Sequence, residues 1–274
     1  MIMKQPIGIF DSGFGGLTVF KAIRQQLPQY DYIYLGDNAR APYGNRSFET
    51  VYEYTLECVR WLHRRHCPLV ILACNTASAK ALRTIQQKDL PHFDPPLKVL
   101  GVIRPTAETV GSYTASGHIG ILATRGTVQS QSYAIELHKF FPELAVFQQA
   151  CPMWVPFIES GEAENEAMDY YIQKDVKALM AQSPEIDTVI MACTHYPMIQ
   201  DRIRKFLPPH VQLVGQGELV AMSLKQYLDN HPEIAHSLSA GGTSEYYTTD
   251  DAAAFDQGAR LFMEEPVASV RIHL

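Results

Sequence analysis

Two cysteines in this chain sit where a thiol can do chemistry. Cys74 follows the apolar run LVILA and precedes NTASAKAL, a strong helix former; Cys193 follows TVIMA and precedes THYP. At the carboxyl end of a parallel strand a side chain faces the crevice in which such sheets bind ligands, and a helix starting there favours a thiolate. A lone cysteine is ordinarily a small buried hydrophobe, and Cys58, Cys67 and Cys151 are read that way, since no repeated polar setting surrounds them. Two cysteines at matching strand ends suggest a working pair. One thiolate removes a proton from a carbon while the other thiol delivers a proton to the opposite face. That is stereoinversion by two bases. An unperturbed thiol is little ionised at neutral pH, so each needs a helper. Asp11 and His195 are the candidates by position, with Glu159 the third. A carboxylate beside Cys74 raises the thiol's pKa even where it can accept the proton, and spacing leaves that contest open.

The remaining polar clusters also fall at strand ends. Asp11-Ser12-Gly13-Phe14-Gly15-Gly16 opens a helix near Leu17 and invites a dinucleotide reading, but Thr18 stands where a third glycine is needed. No GxxxxGK[ST] loop occurs, so no nucleotide cofactor is expected. Lys80 is the one lysine near the site motifs, and it lies beyond the first turn after Cys74, which leaves a pyridoxal imine without an obvious anchor. The HxxHC of His63, His66 and Cys67, and the Cys193-x-His195 pair, lack a second ligand set at zinc spacing, so no metal is expected. Further clusters are Gly36-Asp37 with Arg40, Pro42, Tyr43 and Gly44, then Thr124 to Thr127, then Glu159-Ser160-Gly161. Neutral donors (Ser12, Asn75, Thr76, Thr124, Thr194) outnumber the nearby cations Arg40, Arg104 and Arg125. Hydroxyls and amides at helix N-termini suit a small carboxylate ligand.

The elements that must position these groups alternate. Buried strands are predicted at 6–10, 32–35, 69–73, 99–103, 118–123, 144–148, 188–192 and 212–214, with helical patterns between many of them. After Ser47 as N-cap, the spacing of Val51, Tyr54, Cys58, Trp61 and Leu62 predicts one apolar helix face. Such alternation implies an α/β architecture with parallel sheets covered on both faces. The chain also echoes itself: Ile7-Gly8-Ile9-Phe10 resembles Ile119-Gly120-Ile121-Leu122, and Val70 to Thr76 resembles Val189 to His195, in the same order. Two similar lobes are expected: residues 1–97 plus about 210–274, and residues 98–209. The Pro-rich 90–97 stretch and Pro208-Pro209 serve as the crossings.

Bulk properties fit this reading. The chain has 274 residues, 46% hydrophobic and 19% charged, which is long enough for two lobes and excludes disorder and coiled coil. A net charge of −6 gives no footprint for nucleic acid. Five cysteines make no disulfide framework and point to a reducing cytoplasm. The opening MIMKQPIGIFDSG holds no export-signal core, and the apolar runs are strand-sized, so no membrane segment is expected.

In this order and spacing, IFDSGFGGLTV, GDNARAPYG, ACNTASA, GVIRP, ATRGTVQSQSY, VPFIESG and ACTHYP resemble the cofactor-independent glutamate racemases of the aspartate/glutamate racemase family. The resemblance implies two flavodoxin-like α/β lobes related by pseudo-two-fold symmetry, with glutamate in the cleft between them. It implies that Cys74 and Cys193 are the acid/base thiols, acting on D- and L-glutamate respectively, assisted by Asp11, Glu159 and His195. Asp11, Ser12, Tyr43, Gly44, Asn75, Thr76, Thr124, Thr194 and His195 would line the substrate site. It further implies no cofactor and D-glutamate made for peptidoglycan; among partners, the substrate glutamate is expected and a homodimer is left open. Ser78 and His195 stand where aspartate racemases tend to have His and Glu. The alternatives are a two-thiol racemase for aspartate or a hydantoin, and a binding protein that keeps an amino-acid cleft. Two departures stand out. Ala192 replaces a frequent glycine, predicting slight crowding beside the thiol, and Gly215 replaces a common aspartate.

Overall fold

Strand formation follows from burial on both faces. Every residue of β1 (Ile7–Asp11), β2 (Tyr32–Gly36), β3 (Leu69–Leu72) and β7 (Thr188–Ala192) is buried, which is why these segments read as continuous apolar runs. The computed structural model describes residues 5–263 and 265–274. Met1 to Lys4, the start of the stretch read above for an export signal, lie outside the described residues.

In the first part of the chain, α1 (Gly16–Gln26) follows β1, α2 (Phe48–Arg64) follows β2, and α3 (Asn75–Lys80) and α4 (Leu82–Thr84) follow β3; β4 (Lys98–Gly101) and α5 (Ile103–Val110) complete it. The second part runs β5 (His118–Ala123), α6 (Arg125–Ser130), α7 (Ser132–Phe140), β6 (Ala145–Ala150), α8 (Trp154–Glu159), α9 (Glu166–Met180), β7, α10 (Gln200–Phe206) and β8 (Gln212–Val214). The tail adds α11 (Gly217–Asn230), α12 (Pro232–Ser237), β9 (Ser244–Thr248), α13 (Ala252–Ala259) and β10 (Ser269–Arg271).

The strands form two parallel sheets, β10-β9-β2-β1-β3-β4 and β6-β5-β7-β8. The order β2-β1-β3-β4 matches β6-β5-β7-β8 place for place, so the sequence echo is a repeat of topology: β1 answers β5, and β3 answers β7. Two sheet assignments correct the lobe limits expected from sequence. β4 pairs with β3 (Val70↔Val99), so the chain leaves the first sheet after Gly101, not at 97/98. β8 pairs with β7 (Val189↔Leu213), so Pro208-Pro209 precedes the last strand of the second sheet instead of leaving it.

The tail strands escape a sequence reading because their faces are mixed. In β9 only Tyr246 and Thr248 are buried, and β10 is a three-residue edge strand. In α2, Ser47 Oγ accepts from Thr50 N at 3.1 Å, closing the helix start. Its buried face is Val51, Thr55, Leu56, Cys58, Val59 and Leu62; Tyr54 and Trp61, expected on it, lie at its margin under Arg40 and Tyr247.

One apolar cluster runs through both halves, from Leu17 and Phe20 of α1 through Val220 and Leu224 of α11 to Val189 and Met191 of β7. Packing of α5 on α7 and of α3 on α6 joins the halves as well, without a disulfide. Among the described residues, no helix is long and apolar enough to cross a membrane.

Candidate active site

Cys74 and Cys193 line a single cavity of about 40 Å³, formed where the carboxyl ends of β3 and β7 approach. That volume admits a few waters. Each thiol has a different setting.

Cys74 is the N-cap of α3. Its sulfur accepts from the Ala77 amide at 3.4 Å and lies 3.4 Å from Ser12 Oγ. Burial and the Asp11 charge push the thiol up, to about 12, against the Ser12 hydroxyl and the Ala77 amide. The helix-terminus effect anticipated from sequence is present but loses to desolvation and the carboxylate, and Cys74 rests as a thiol. Asp11 is fully buried; its Oδ2 accepts from Gly13 N at 2.9 Å, while Oδ1 has no hydrogen-bond partner among the described residues. Burial raises the Asp11 pKa, opposed first by the nearby His195 charge. An orphaned carboxylate oxygen of raised basicity is equipped to hold a proton.

Cys193 faces an imidazole instead. His195 Nδ1 is 3.8 Å from its sulfur, and His195 Nε2 is 3.0 Å from Glu159 Oε1. Burial opposes protonation of His195, but the contacts with Cys193 and Glu159 prevail and raise it to about 10. An imidazolium there stabilises negative charge on the sulfur and can pass a proton. No α-helix starts at Cys193: a short 3₁₀ turn over Tyr196–Ile199 follows, with Pro197 in its first turn.

The glycine loop after β1 closes the two halves together. A Cβ on Gly15 would sit 2.4 Å from both His195 Nδ1 and Thr194 Oγ1. The glycine therefore admits the Cys193 half to the cleft. Thr18, the residue that broke the dinucleotide pattern, donates from Oγ1 to the Thr194 carbonyl at 2.9 Å. On the opposite wall, Gly126 N donates to Gly44 O at 2.9 Å, and Thr76, Thr124 and Thr127 form a hydroxyl chain at 3.0 and 3.1 Å.

Comparison with known proteins gives this geometry its context. The sequence profile described as Asp/Glu/Hydantoin racemase matches residues 7–221. The glutamate racemase of Geobacter metallireducens is 39% identical over 258 residues, covering 94% of this chain and 92% of that protein. The chain belongs to the Asp/Glu/hydantoin racemase family. The glutamate racemase isoform RacE1 of Bacillus anthracis superposes with a TM-score of 0.89 at 32% identity, over 99% of this chain and 98% of that one. A Francisella tularensis glutamate racemase, solved in complex with D-glutamate, gives 0.86 at 28% identity over 100% and 98%.

In this racemase-family chain, Ser12, Tyr43, Gly44, Asn75, Thr76, Thr124, Glu159, Thr194 and His195 all line the cavity with the two thiols. Asp11 lies behind that lining, acting through its charge on Cys74. The Tyr43 hydroxyl is not offered to the cleft: it donates to buried Asp37, which also takes Arg40 Nε at 2.7 Å and Thr249 Oγ1 at 2.8 Å. Of the three cations weighed from sequence, Arg40 is thus occupied, Arg104 pairs with Glu108, and Arg125 lines the cavity. Cys151 also lines it, although a lone cysteine gave no sign of this. Ala192 corrects an expectation: its side chain packs in the second sheet's core with Ile103 and Ile121, away from the cleft, and crowds nothing there. Sequence reasoning missed Gln216 and Tyr133, both buried and both bonded to Asn75. The unexplained VGQG loop was the one signal pointing to Gln216.

Proposed function

We propose that the chain interconverts L- and D-glutamate by direct proton transfer at Cα, with Cys74 and Cys193 as the two acid/base groups. The observation that carries this reading is that two buried thiols, from corresponding strand ends of two repeated sheets, open onto one cavity. In the L-to-D direction the Cys193 thiolate takes the Cα proton and the Cys74 thiol delivers its proton to the opposite face. The reverse direction exchanges their roles. After an L-to-D turnover Cys193 holds the proton taken from Cα and Cys74 has given one up; one proton lost to solvent past the His195–Glu159 pair and one gained from solvent past Asp11 return each sulfur to its starting state. Ser12, Asn75, Thr76, Thr124 and Thr194, with the backbone of Tyr43-Gly44, hold the substrate carboxylates and ammonium. The glutamate racemases to which the chain is similar, one of them solved with D-glutamate, support glutamate as the substrate.

On this reading the enzyme works in the cytoplasm with reduced thiols and supplies D-glutamate for peptidoglycan. Each chain holds a whole site, including within a homodimer. Incubation with L-glutamate, with no added cofactor and with chelator present, should drive optical rotation to zero. In heavy water the product should carry deuterium at Cα. Product that keeps its original hydrogen in full would replace the two-thiol scheme with an internal shuttle.

A further inference from the structure

Asn75 follows the catalytic thiol directly and lines the cleft, yet most of its amide is already committed. Tyr133 Oη donates to Asn75 Oδ1 at 2.6 Å, and Asn75 Nδ2 donates to Gln216 Oε1 at 2.7 Å. Gln216 Nε2 in turn donates to Tyr133 Oη, closing a ring of three side chains. All three are buried.

A ring of two amides and a phenol can run in either sense, so something outside it must choose. Here two acceptors do. Gln216 Nε2 also meets Thr106 Oγ1 at 3.0 Å and the Val102 carbonyl at 3.5 Å. Thr106 spends its own hydrogen on that same Val102 carbonyl, at 3.0 Å, so it can only accept from Gln216. Turning the Gln216 amide over would aim its carbonyl at two oxygen lone pairs in a buried place, a costly arrangement. With Gln216 fixed, Tyr133 must donate to Asn75, and Asn75 must donate to Gln216. One Asn75 N–H and the second lone pair of Oδ1 remain outside the ring.

The geometry points to Gln216 and Tyr133 as positioning residues that fix the orientation in which the Asn75 amide meets the substrate. An amide so fixed donates its free N–H to a substrate carboxylate. The placement adds a second consequence. Val102 and Thr106 lie where the chain leaves the first sheet, and Gln216 lies where it leaves the second, so the ring ties both crossings to the residue after Cys74. This inference rests on the proposed role of Asn75 in binding glutamate.

The test is a mutant cycle in the full chain, read as KM and kcat for both enantiomers. Tyr133→Phe and Gln216→Met should each raise KM about tenfold and change kcat by less than about threefold, as loss of one binding contact does. In an Asn75→Ala background, the same two changes should move KM by less than about twofold, because they act through Asn75. An unchanged KM in the single variants would overturn the inference. So would an equal rise in the Asn75→Ala background, since that rise would come from packing. If Tyr133→Phe fails to fold, Gln216→Met on the other side of the ring gives the same comparison. A wild-type chain that does not racemise glutamate removes the reading of the site itself. A racemising wild type with indifferent variants removes only the role of the ring.

Discussion

The Cys74 and Cys193 halves of the cleft share a topology and differ in almost every side chain that matters. Behind Cys74 stand a helix N-terminus, a hydroxyl and a buried carboxylate, one oxygen of which has no hydrogen-bond partner among the described residues. Behind Cys193 stand an imidazole and the carboxylate that orients it. The repeat of β2-β1-β3-β4 in β6-β5-β7-β8 supplies a pair, two thiols at matching strand ends lining one cavity. It does not supply equivalence. Cys74 is pushed up to about 12 and rests protonated, whereas Cys193 faces a histidine raised to about 10, which rests as a cation. On the proposed mechanism one half starts an L-to-D turnover as donor and the other as acceptor, and the reverse direction exchanges them.

The largest test removes each sulfur. Cys74→Ser and Cys193→Ser should each cost about 10²–10⁴ in turnover, since each deletes one acid/base partner. Mixing the two proteins under conditions of subunit exchange should restore nothing, because every chain lacks one thiol. A rise toward a quarter of wild-type activity would instead place the site between chains.

Next come the helpers, which should separate the halves. Asp11→Asn should lower mainly the kcat of the direction in which Cys74 is base, and His195→Asn that in which Cys193 is base, by about 10–10² each. Racemisation has no net driving force, so the two kcat/KM values must fall together, and the asymmetry appears in kcat and KM separately. Equal effects of both variants on α-hydrogen exchange from both enantiomers would erase the division of labour.

Glycine substitutions probe the same division sterically. Gly15→Ala puts a methyl 2.4 Å from His195 Nδ1, and Gly16→Ala puts one 2.4 Å from Asp11 Cβ. Neither approach is tolerable without movement, so each should lower activity by about tenfold. The Gly15 variant should resemble His195→Asn in its directional bias, and the Gly16 variant Asp11→Asn. Matching biases for both glycines would mean that the loop shifts as one body.

The smallest effect is on stability with pH. Both groups have raised pKa values, so both favour the fold at low pH and lose that contribution as pH rises. The share of His195 is complete below about 6.5 and fades as pH climbs through about 10; that of Cys74 fades from about 9 to about 12. The unfolding temperature should decline across both windows, and His195→Asn should flatten the lower one alone. A slope unchanged in that variant would mean that His195 is not the titrating group.

Much of this was legible along the chain. Strand positions were readable because doubly covered parallel strands are apolar throughout, as in LVIL before Cys74 and TVIMA before Cys193. The thiol pair was readable because a duplicated half repeats its strand ends in order. The tail strand SEYYT was not, since one face meets solvent and its pattern is polar.

What the sequence determined by itself was therefore local and repetitive: which segments are strands, that they come in two sets, and that each set ends one strand in a cysteine. What only the tertiary structure decided was the outcome of competing long-range effects. Whether helix or carboxylate governs Cys74 depends on how deeply both are buried, which no spacing encodes. The same holds for the ring of Asn75, Tyr133 and Gln216. Its members stand 58, 83 and 141 residues apart, and its sense is set by a threonine and a carbonyl that reach it only when the two sheets close on one another.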